Sequence, residues 1–178
     1  MPEQKIIIAG FGGQGVVLGA NVIAQTAVIE DKNVTAMVSY GAEMRGGTAH
    51  CSIIISDKEI ASPAVENPSS TIILNQPSLD KFEDKITKNG LIVLNSSLVK
   101  RDVKRNDIET VKIPATDIAI ELGNVRVANL VMIGAFIKKT NILDLNNVLE
   151  NLHKFFPKRK QDLIEINKKA LEKGAELV

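Results

Sequence analysis

The 178-residue sequence predicts an α/β fold: a three-layer sandwich with a mostly parallel, mixed sheet and helices on both faces. Three observations support this prediction. Short apolar runs of strand length alternate with longer segments whose apolar residues recur at helical spacing. The first strand-like run ends in a glycine loop that leads straight into a helix. No repeat, low-complexity tract or linker interrupts the pattern, so residues 1–178 are expected to form a single domain.

Elements in the first half follow from local patterns. The apolar β-branched run at 6–9 ends in glycine and predicts a buried strand. Residues 16–28 place apolar side chains on one face of a helix. Runs at 34–39 and 49–56 predict two more strands. Residues 59–63, which end in proline, predict a short return strand that makes part of the sheet antiparallel.

Strands and helices alternate again in the second half. Strands are predicted at 71–75, 91–95 and 110–113, and helices at 77–82, 116–122, 127–139, 145–152 and from Pro157 to Gly174. Thr116-Asp117 is the predicted cap of the second of these helices. Because Ala128, Gly134 and Ala135 are small, we expect close packing around them, against another subunit.

The composition argues against several classes of protein. The formal net charge of +1 gives no general attraction for nucleic acid or an anionic membrane, and we interpret the basic clusters at 100–105 and 158–160 as solvated surface. The single cysteine, Cys51, allows no intrachain disulfide and is expected to fill a core position. We find no leader pattern and no apolar stretch long enough for a bilayer, so we expect a cytoplasmic protein without membrane contact.

The glycine loop is the strongest candidate for a binding site. Glycines without side chains let the backbone turn tightly and approach a bound group, and the N-terminus of the following helix suits an anion such as phosphate. We therefore predict a phosphate-bearing ligand here. The predicted binding residues are Gly10, Gly12, Gly13, Gln14 and Gly15.

The spacing of Gly10, Gly12 and Gly15 also fits the dinucleotide fingerprint. That fingerprint requires a carboxylate at the end of the second strand to hold the ribose, but this strand ends in Ser39-Tyr40. Three alternatives to NAD or FAD therefore stay open. The glycines could only make a tight turn, they could bind another phosphate-bearing ligand, or they could face a partner subunit.

A second glycine-rich loop follows the second strand. Its predicted binding residues are Glu43, Arg45, Gly46 and Gly47. The Arg45 guanidinium could grip a carboxylate or phosphate through two hydrogen bonds, or it could pair with Glu43 and lock the loop. Asn75 and Asn95, each at the end of a strand, either place amides along one ligand-binding edge of the sheet or cap the turns that follow.

A self-contained active site is not found in the sequence. The Walker lysine and a nucleophile elbow are missing, and His50 and His153 have no second ligand at metal spacing. We therefore predict no catalytic residue and no metal ligand in this chain. Two elaborate glycine loops without catalytic groups indicate a subunit that completes a site built mainly by others.

Taken together, these motifs carry a resemblance. The two glycine loops, Ser56-Asp57 and residues 60–63 and 129–134 resemble the gamma subunit of 2-oxoacid:ferredoxin oxidoreductases, and the resemblance runs in order along nearly the whole chain. It implies an enzyme that oxidatively decarboxylates a 2-oxoacid with coenzyme A, producing an acyl-CoA and reducing ferredoxin.

The resemblance also implies the partners and cofactors. Thiamine diphosphate would be held by alpha and beta subunits, and iron–sulfur clusters by beta and by a ferredoxin-like delta subunit. No cofactor is then expected on this chain alone, which would lie near the entrance for coenzyme A. The order Glu43-Met44-Arg45-Gly46-Gly47 looks most like the 2-oxoglutarate enzymes. The alternatives are a branched-chain or indolepyruvate enzyme and a stand-alone NAD- or FAD-binding oxidoreductase.

Overall fold

A computed structural model of the protein describes residues 3–40, 48–156, 161 and 163–178. The strands are β1 (Gln4–Phe11), β2 (Asn33–Tyr40), β3 (Thr48–Ser56), β4 (Ser70–Ile73), β5 (Leu91–Asn95) and β6 (Glu109–Ile113). The helices are α1 (Val16–Ile29), α2 (Gln76–Phe82), α3 (Ala115–Glu121), α4 (Ala128–Thr140), α5 (Leu145–Asn151) and α6 (Ile164–Ala175). Single 3-10 turns lie at Glu83–Lys85, Val125–Val127 and Leu152–Phe155.

The strands form one mixed sheet in the order β2-β3-β1-β4-β5-β6. β3 is antiparallel to both of its neighbours, and the pairs β1–β4, β4–β5 and β5–β6 are parallel. The predicted α/β class with a mostly parallel, mixed sheet is confirmed. The predicted return strand at 59–63 is wrong, because that segment forms no strand and β3 itself supplies the antiparallel direction.

Alternation along the strands separates the core into two layers. Ile6 and Ile8 of β1 face a core shared with α1, α3, α4, α5 and α6, whereas Ile7 and Ala9 face α2 and its 3-10 turn. Helices thus cover both faces, as predicted, but the second face carries much less. Cys51 is buried in the first layer, where burial raises the pKa of its thiol, and its predicted role as a core residue is confirmed.

The central helix α4 is buried continuously from Asn129 to Ile137. It crosses α6 so closely that a Cβ on Gly134 would overlap the carbonyl oxygen of Leu171, and a Cβ on Gly174 would overlap that of Val131. The expected close packing at Gly134 is therefore present. The expectation that another subunit packs there is wrong, because α6 of the same chain fills the position.

Two helix starts differ from the prediction. α3 begins at Ala115 with Pro114 as its N-cap residue, so Thr116-Asp117 lies inside the first turn and does not cap it. α6 begins at Ile164, and the start predicted at Pro157 lies outside the described residues. Among the helices that are described, none combines the length and the apolar character needed to cross a bilayer.

Candidate functional site

The candidate site lies at the carboxyl end of the parallel strands, where the chain leaves β1 and β4 in opposite directions. After β1 it crosses through α1 toward β2, and after β4 it crosses through α2 toward β5. Because the connections after β1 and β4 run in opposite directions, a crevice forms between them, and open α/β sheets bind their ligands in such a crevice. The glycine loop of residues 10–15 forms one wall of this crevice.

The loop turns the chain into α1 through two left-handed residues. Gly13 has a φ of 99° and Gly15 a φ of 78°, a region that costs residues with a Cβ about 1–2 kcal/mol. Gly15 is the N-cap residue of α1, and it has no side chain to cap the helix. The first N–H groups of α1 therefore have no partner within the helix, and together with the helix dipole they favour an anion.

Two of the predicted glycines have a packing role. A Cβ on Gly15 would overlap the amide nitrogen of Asn129, which donates a hydrogen bond of 3.0 Å to the Gly15 carbonyl. A Cβ on Gly10 would lie 2.9 Å from Gln14 Oε1 and 3.0 Å from Leu74 Cδ1. Gly13 has nothing within 4 Å of its Cβ position and is exposed. Gly13 is thus where a bound group can approach the loop.

Gln14 connects the loop to the end of β4. Its Oε1 accepts hydrogen bonds from the backbone N–H of Phe11 at 2.7 Å and from Asn75 Nδ2 at 2.8 Å. Asn75 Oδ1 in turn accepts the N–H of Ser78 and caps α2. Gln14 therefore fixes the shape of the loop through its side-chain oxygen. The two roles considered for Asn75, at the edge of the sheet and as a cap, are both present.

Arg126 lies beside the glycine loop and lines the two cavities that border Gly13. Gly13 and Arg126 line a cavity of about 200 Å³ together with Asn95 and Thr116, and they also line an open cavity of about 350 Å³ together with Val17. Arg126 is exposed on the 3-10 turn Val125–Val127, whose N-cap residue is Asn124. Among the described residues, its guanidinium has no hydrogen-bond or ion-pair partner. A free cation therefore stands beside the anion-favouring start of α1.

The smaller cavity also presents a buried acceptor. Asn95 is 1% exposed, and its Nδ2 donates to Thr116 Oγ1 at 2.9 Å and to the Leu74 carbonyl at 3.4 Å. The Leu74 carbonyl can only accept, which fixes the orientation of the amide. Asn95 Oδ1 has no partner among the described residues, although an unpaired buried oxygen is costly. The oxygen is itself covered, so the donor group of a ligand reaches it only if the neighbouring side chains move.

The second glycine loop lies outside the described residues, so the predictions for Glu43, Arg45, Gly46 and Gly47 remain predictions. The strands that flank it are informative. Thr48 of β3 pairs with Phe11 of β1, and Tyr40 of β2 pairs with Ala49. The end of β2 and the start of β3, which flank the second loop, therefore lie at the same edge of the sheet as the first glycine loop.

The order of the strands weakens the dinucleotide interpretation. In a dinucleotide-binding domain the second strand lies beside the first and carries the ribose-binding carboxylate. Here β3 lies between β1 and β2, and β2 ends in Ser39-Tyr40. Glu30, which precedes β2, accepts hydrogen bonds from the Asp144 N–H and the Asn147 amide at the other end of α1. Neither the end of β2 nor Glu30 therefore offers a carboxylate to a ribose bound at the glycine loop.

The two histidines lie apart from each other, and His50, which pairs with Ala9 of β1, directs its ring to the face of the sheet that α2 covers. His50 lies on β3 against Phe82, and His153 lies in the 3-10 turn Leu152–Phe155. In the part of the chain that the structure describes, no group of three His, Cys, Asp or Glu side chains is arranged to hold a metal ion. The described groups at the crevice, the start of α1 and the Arg126 guanidinium, suit an anion.

Comparison with known proteins gives a consistent result. A family model described as pyruvate ferredoxin/flavodoxin oxidoreductase matches residues 5–177. The ketoisovalerate oxidoreductase subunit VorA of Methanothermobacter thermautotrophicus is 38% identical over 176 residues, which are 98% of this chain and 36% of that protein. The chain thus spans about a third of the length of this relative.

Two further relatives match over nearly their full length. The 2-oxoglutarate synthase subunit KorC of Methanocaldococcus jannaschii is 34% identical over 178 residues, covering 98% of this chain and 94% of its own. The crystal structure of the keto/oxoacid ferredoxin oxidoreductase gamma subunit from Geobacter sulfurreducens PCA superimposes with a TM-score of 0.83 at 27% identity, covering 97% of this chain and 96% of that one.

Proposed function

Because the chain belongs to the pyruvate ferredoxin/flavodoxin oxidoreductase family, we propose that it is the gamma subunit of a multi-subunit 2-oxoacid:ferredoxin oxidoreductase. Within that complex it supports the coenzyme A-dependent oxidative decarboxylation of a 2-oxoacid to an acyl-CoA in the cytoplasm. Thiamine diphosphate and iron–sulfur clusters are held by the alpha, beta and delta subunits, and ferredoxin accepts the electrons. The near-complete match to the KorC and Geobacter subunits supports this proposal.

The contribution of this chain is to bind coenzyme A by its phosphates. The observation that carries this step is the Arg126 guanidinium, which has no partner among the described residues and lies beside Gly13 and the start of α1. Backbone N–H groups at a helix start and an arginine both form charge-assisted hydrogen bonds with phosphate oxygens. The ligand's phosphates lie in the open cavity, where Gly13 leaves room for them.

Coenzyme A binding by the full chain is testable by isothermal titration calorimetry. Arg126→Ala should weaken binding about tenfold to a hundredfold, because a charge-assisted hydrogen bond contributes roughly 1.5–3 kcal/mol. Lys88→Ala is the matched control, since it removes an exposed cation from the turn that precedes β5 at the opposite edge of the sheet. Equal affinities for Arg126→Ala and Lys88→Ala would contradict the phosphate site.

The adenine ring of coenzyme A is proposed to enter the smaller cavity. Its exocyclic amine is an N–H donor, and Asn95 Oδ1 is the acceptor without a partner among the described residues. An analogue in which hypoxanthine replaces adenine presents a carbonyl oxygen to the same Oδ1 and should bind at least about tenfold more weakly. In Asn95→Leu this difference should disappear. A difference that persists in Asn95→Leu would exclude Asn95 as the acceptor.

For the 2-oxoacid we propose 2-oxoglutarate. The Glu43-Met44-Arg45-Gly46-Gly47 order and the full-length match to a 2-oxoglutarate synthase subunit support it. The 38% identity to a ketoisovalerate subunit favours a branched-chain 2-oxoacid as the second candidate. Purified complex should reduce a viologen dye fastest with one of these two acids, and the isolated chain should reduce none. Activity of the isolated chain would contradict its assignment as a binding subunit.

Arg45 is proposed as a second residue that binds the substrate or coenzyme A. Replacing it with lysine keeps the charge but removes the two-pronged geometry. Arg45→Lys should assemble normally and lose about tenfold to a hundredfold in kcat/KM, a loss of roughly 1.5–3 kcal/mol. If Arg45 only locks the loop by pairing with Glu43, Glu43→Gln should reproduce the defect and both variants should lower the melting temperature. Normal kinetics would end the proposal for Arg45.

A further inference from the structure

The second face of the sheet is exposed on part of the edge strand β2. Leu79, Phe82 and Ile86, from α2 and its 3-10 turn, pack over β1, β4 and β5 on this face. Phe82 of α2 also packs against His50 of β3 on this face, but no described helix packs here on β2. Met37 of β2, which pairs with Ser52 of β3, points to this face and is 51% exposed. An apolar side chain therefore lies uncovered on an edge strand.

A cluster of cationic side chains lies beside this exposed part of the sheet. The ring of His50 packs against that of Phe82 with centroids 5.0 Å apart. Lys81 Nζ and Lys85 Nζ lie 5.2 and 5.6 Å from the centroid of the same Phe82 ring. The four side chains line a cavity of about 500 Å³, together with Glu66. Neither lysine forms an ion pair with any residue that the structure describes.

We propose that Met37, His50, Lys81 and Lys85 form a docking surface for an acidic segment of a partner polypeptide, an inference that rests on the proposed assembly with other subunits. The two ammonium groups, held on one aromatic ring, supply charge complementarity for carboxylates. Met37 lies diagonally across the β2–β3 pair from His50 and offers an apolar contact to the same segment. We call these four residues the docking surface.

Two other occupants fit less well. In a two-fold dimer of this chain the same surface would face itself, so lysines would oppose lysines, which is unfavourable. A small anion would bind the lysines but leave Met37 exposed. Only a polypeptide segment covers the apolar and the cationic parts together.

Docking should also change the protonation of His50. Burial, and then the charges of Lys81 and Lys85, lower the pKa of this histidine. Glu66 is the acidic residue that shares the cavity with His50 and the two lysines. A carboxylate that enters between the lysines and the imidazole adds a negative charge, so the His50 pKa should rise on assembly. His153, the other histidine of the chain, serves as the internal reference.

The test uses the complex assembled from the co-expressed subunits. Lys81→Glu with Lys85→Glu should raise the dissociation constant of this chain by about tenfold or more, with a weaker dependence on salt than the wild type. Lys81→Arg with Lys85→Arg keeps both charges and should assemble normally. Thermal melts establish that all variants fold. If the wild type itself forms no complex, the proposed function fails; if the charge-reversed variant assembles as well as wild type, only the docking surface fails.

Lysine acetylation, read by mass spectrometry, identifies the occupant. In the complex, Lys81 and Lys85 should be acetylated about tenfold more slowly than in the isolated chain, and histidine hydrogen exchange should report a raised His50 pKa. Equal protection of both lysines by inorganic phosphate in the isolated chain would overturn the proposal in favour of a small anion. A wild-type dimer of the isolated chain that the charge reversal dissociates would overturn it in favour of a second copy.

Discussion

At the scale of single residues, the glycine loop contains two glycines that adopt similar backbone conformations for different reasons. Gly13 requires only its positive φ, because its Cβ position is open, whereas Gly15 requires both its φ and the space that Asn129 occupies. Gly13→Ala should lower the free energy of unfolding by about 1–2 kcal/mol, and Gly15→Ala should lower it further. Urea unfolding of both variants measures the difference.

A change at Asn129 serves as the control for the comparison of Gly13→Ala with Gly15→Ala. Asn129→Ala removes the atoms that a Cβ at Gly15 would meet, so the double variant Gly15→Ala with Asn129→Ala should recover part of the excess loss. Strictly additive losses in the double variant would mean that Gly15 is required for its backbone conformation alone.

A second residue-scale prediction concerns His50. Burial and the neighbouring lysines lower its pKa in the folded chain, so Lys81→Gln and Lys85→Gln should each raise it. A lowered histidine pKa means that the unfolded chain binds the proton more readily; stability should therefore fall as the pH drops below about 6.5. The lysine variants should lose less stability in this range. NMR titration of the His50 imidazole in the wild type and in each lysine variant measures the change in its pKa.

At the scale of elements, the basic cluster at 100–105 is more than the solvated surface that its sequence indicates. Buried Glu83 accepts the backbone N–H groups of Lys104 and Arg105, and Arg101 Nη1 lies 2.7 Å from its carboxylate. Burial raises the pKa of Glu83, but the Lys104 N–H and Arg101 outweigh this effect and lower it overall. The Glu83 carboxylate thus holds the segment between β5 and β6 against the end of α2 through hydrogen bonds and an ion pair.

Glu83→Gln should therefore destabilise the chain at neutral pH by about 1.5–3 kcal/mol, the range for hydrogen bonds to a charged group. Because the folded pKa is lowered, the carboxylate stabilises the fold above its usual pKa, and this contribution is lost as the pH falls through the folded value. Unfolding curves at pH 7 and pH 4 should show a smaller difference between variant and wild type at the lower pH. A difference that does not depend on pH would contradict this role.

Strands rich in apolar β-branched residues were predictable, and the segment with a single large apolar side chain was not a strand. The runs at 6–9, 49–56 and 91–95 all became strands, because such runs must be buried and a pleated sheet buries both faces. Residues 59–63 carry only one large apolar side chain, Ile60, and no neighbouring strand pairs with them. α3 begins directly after Pro114, whose φ of −78° is close to the helical value, so Thr116 already lies inside the first turn and cannot cap it.

At the scale of the whole molecule, the contact between α4 and α6 joins residues far apart in the chain. Gly134→Ala and Gly174→Ala should each cost about 1–3 kcal/mol or more, because each new Cβ meets rigid backbone of the other helix. Gly134→Leu should prevent folding. Gly19→Ala is the matched control, since its Cβ meets the side-chain ends of Ile133 at 3.3 Å and Ile8 at 3.7 Å and no backbone atom among its nearest neighbours, and alanine favours the helix by about 1 kcal/mol. Thermal denaturation should find Gly19→Ala the most stable of these variants, Gly134→Ala and Gly174→Ala less stable, and Gly134→Leu unfolded.

The candidate site shows where sequence reasoning reaches its limit. The glycine loop and the edge amides Asn75 and Asn95 were predictable, because strand ends and tight turns leave local signals. Arg126 and Asn129 were not identified as site residues, since they reach the loop from more than a hundred residues away and follow no local pattern. The position of β3 between β1 and β2 likewise depends on pairing between distant segments.

The dependence of α4 on α6 has a consequence during synthesis on the ribosome. The α4 surface that Leu171 and Gly174 cover cannot be buried until α6 has been translated and has left the exit tunnel. At about 5–20 residues per second, the nascent chain exposes this surface for roughly 2–9 s. Over that interval the partly made protein presents an apolar helix to chaperones, and the sheet and α1 fold around an incomplete core. Burial of this α4 surface therefore waits for the synthesis of α6.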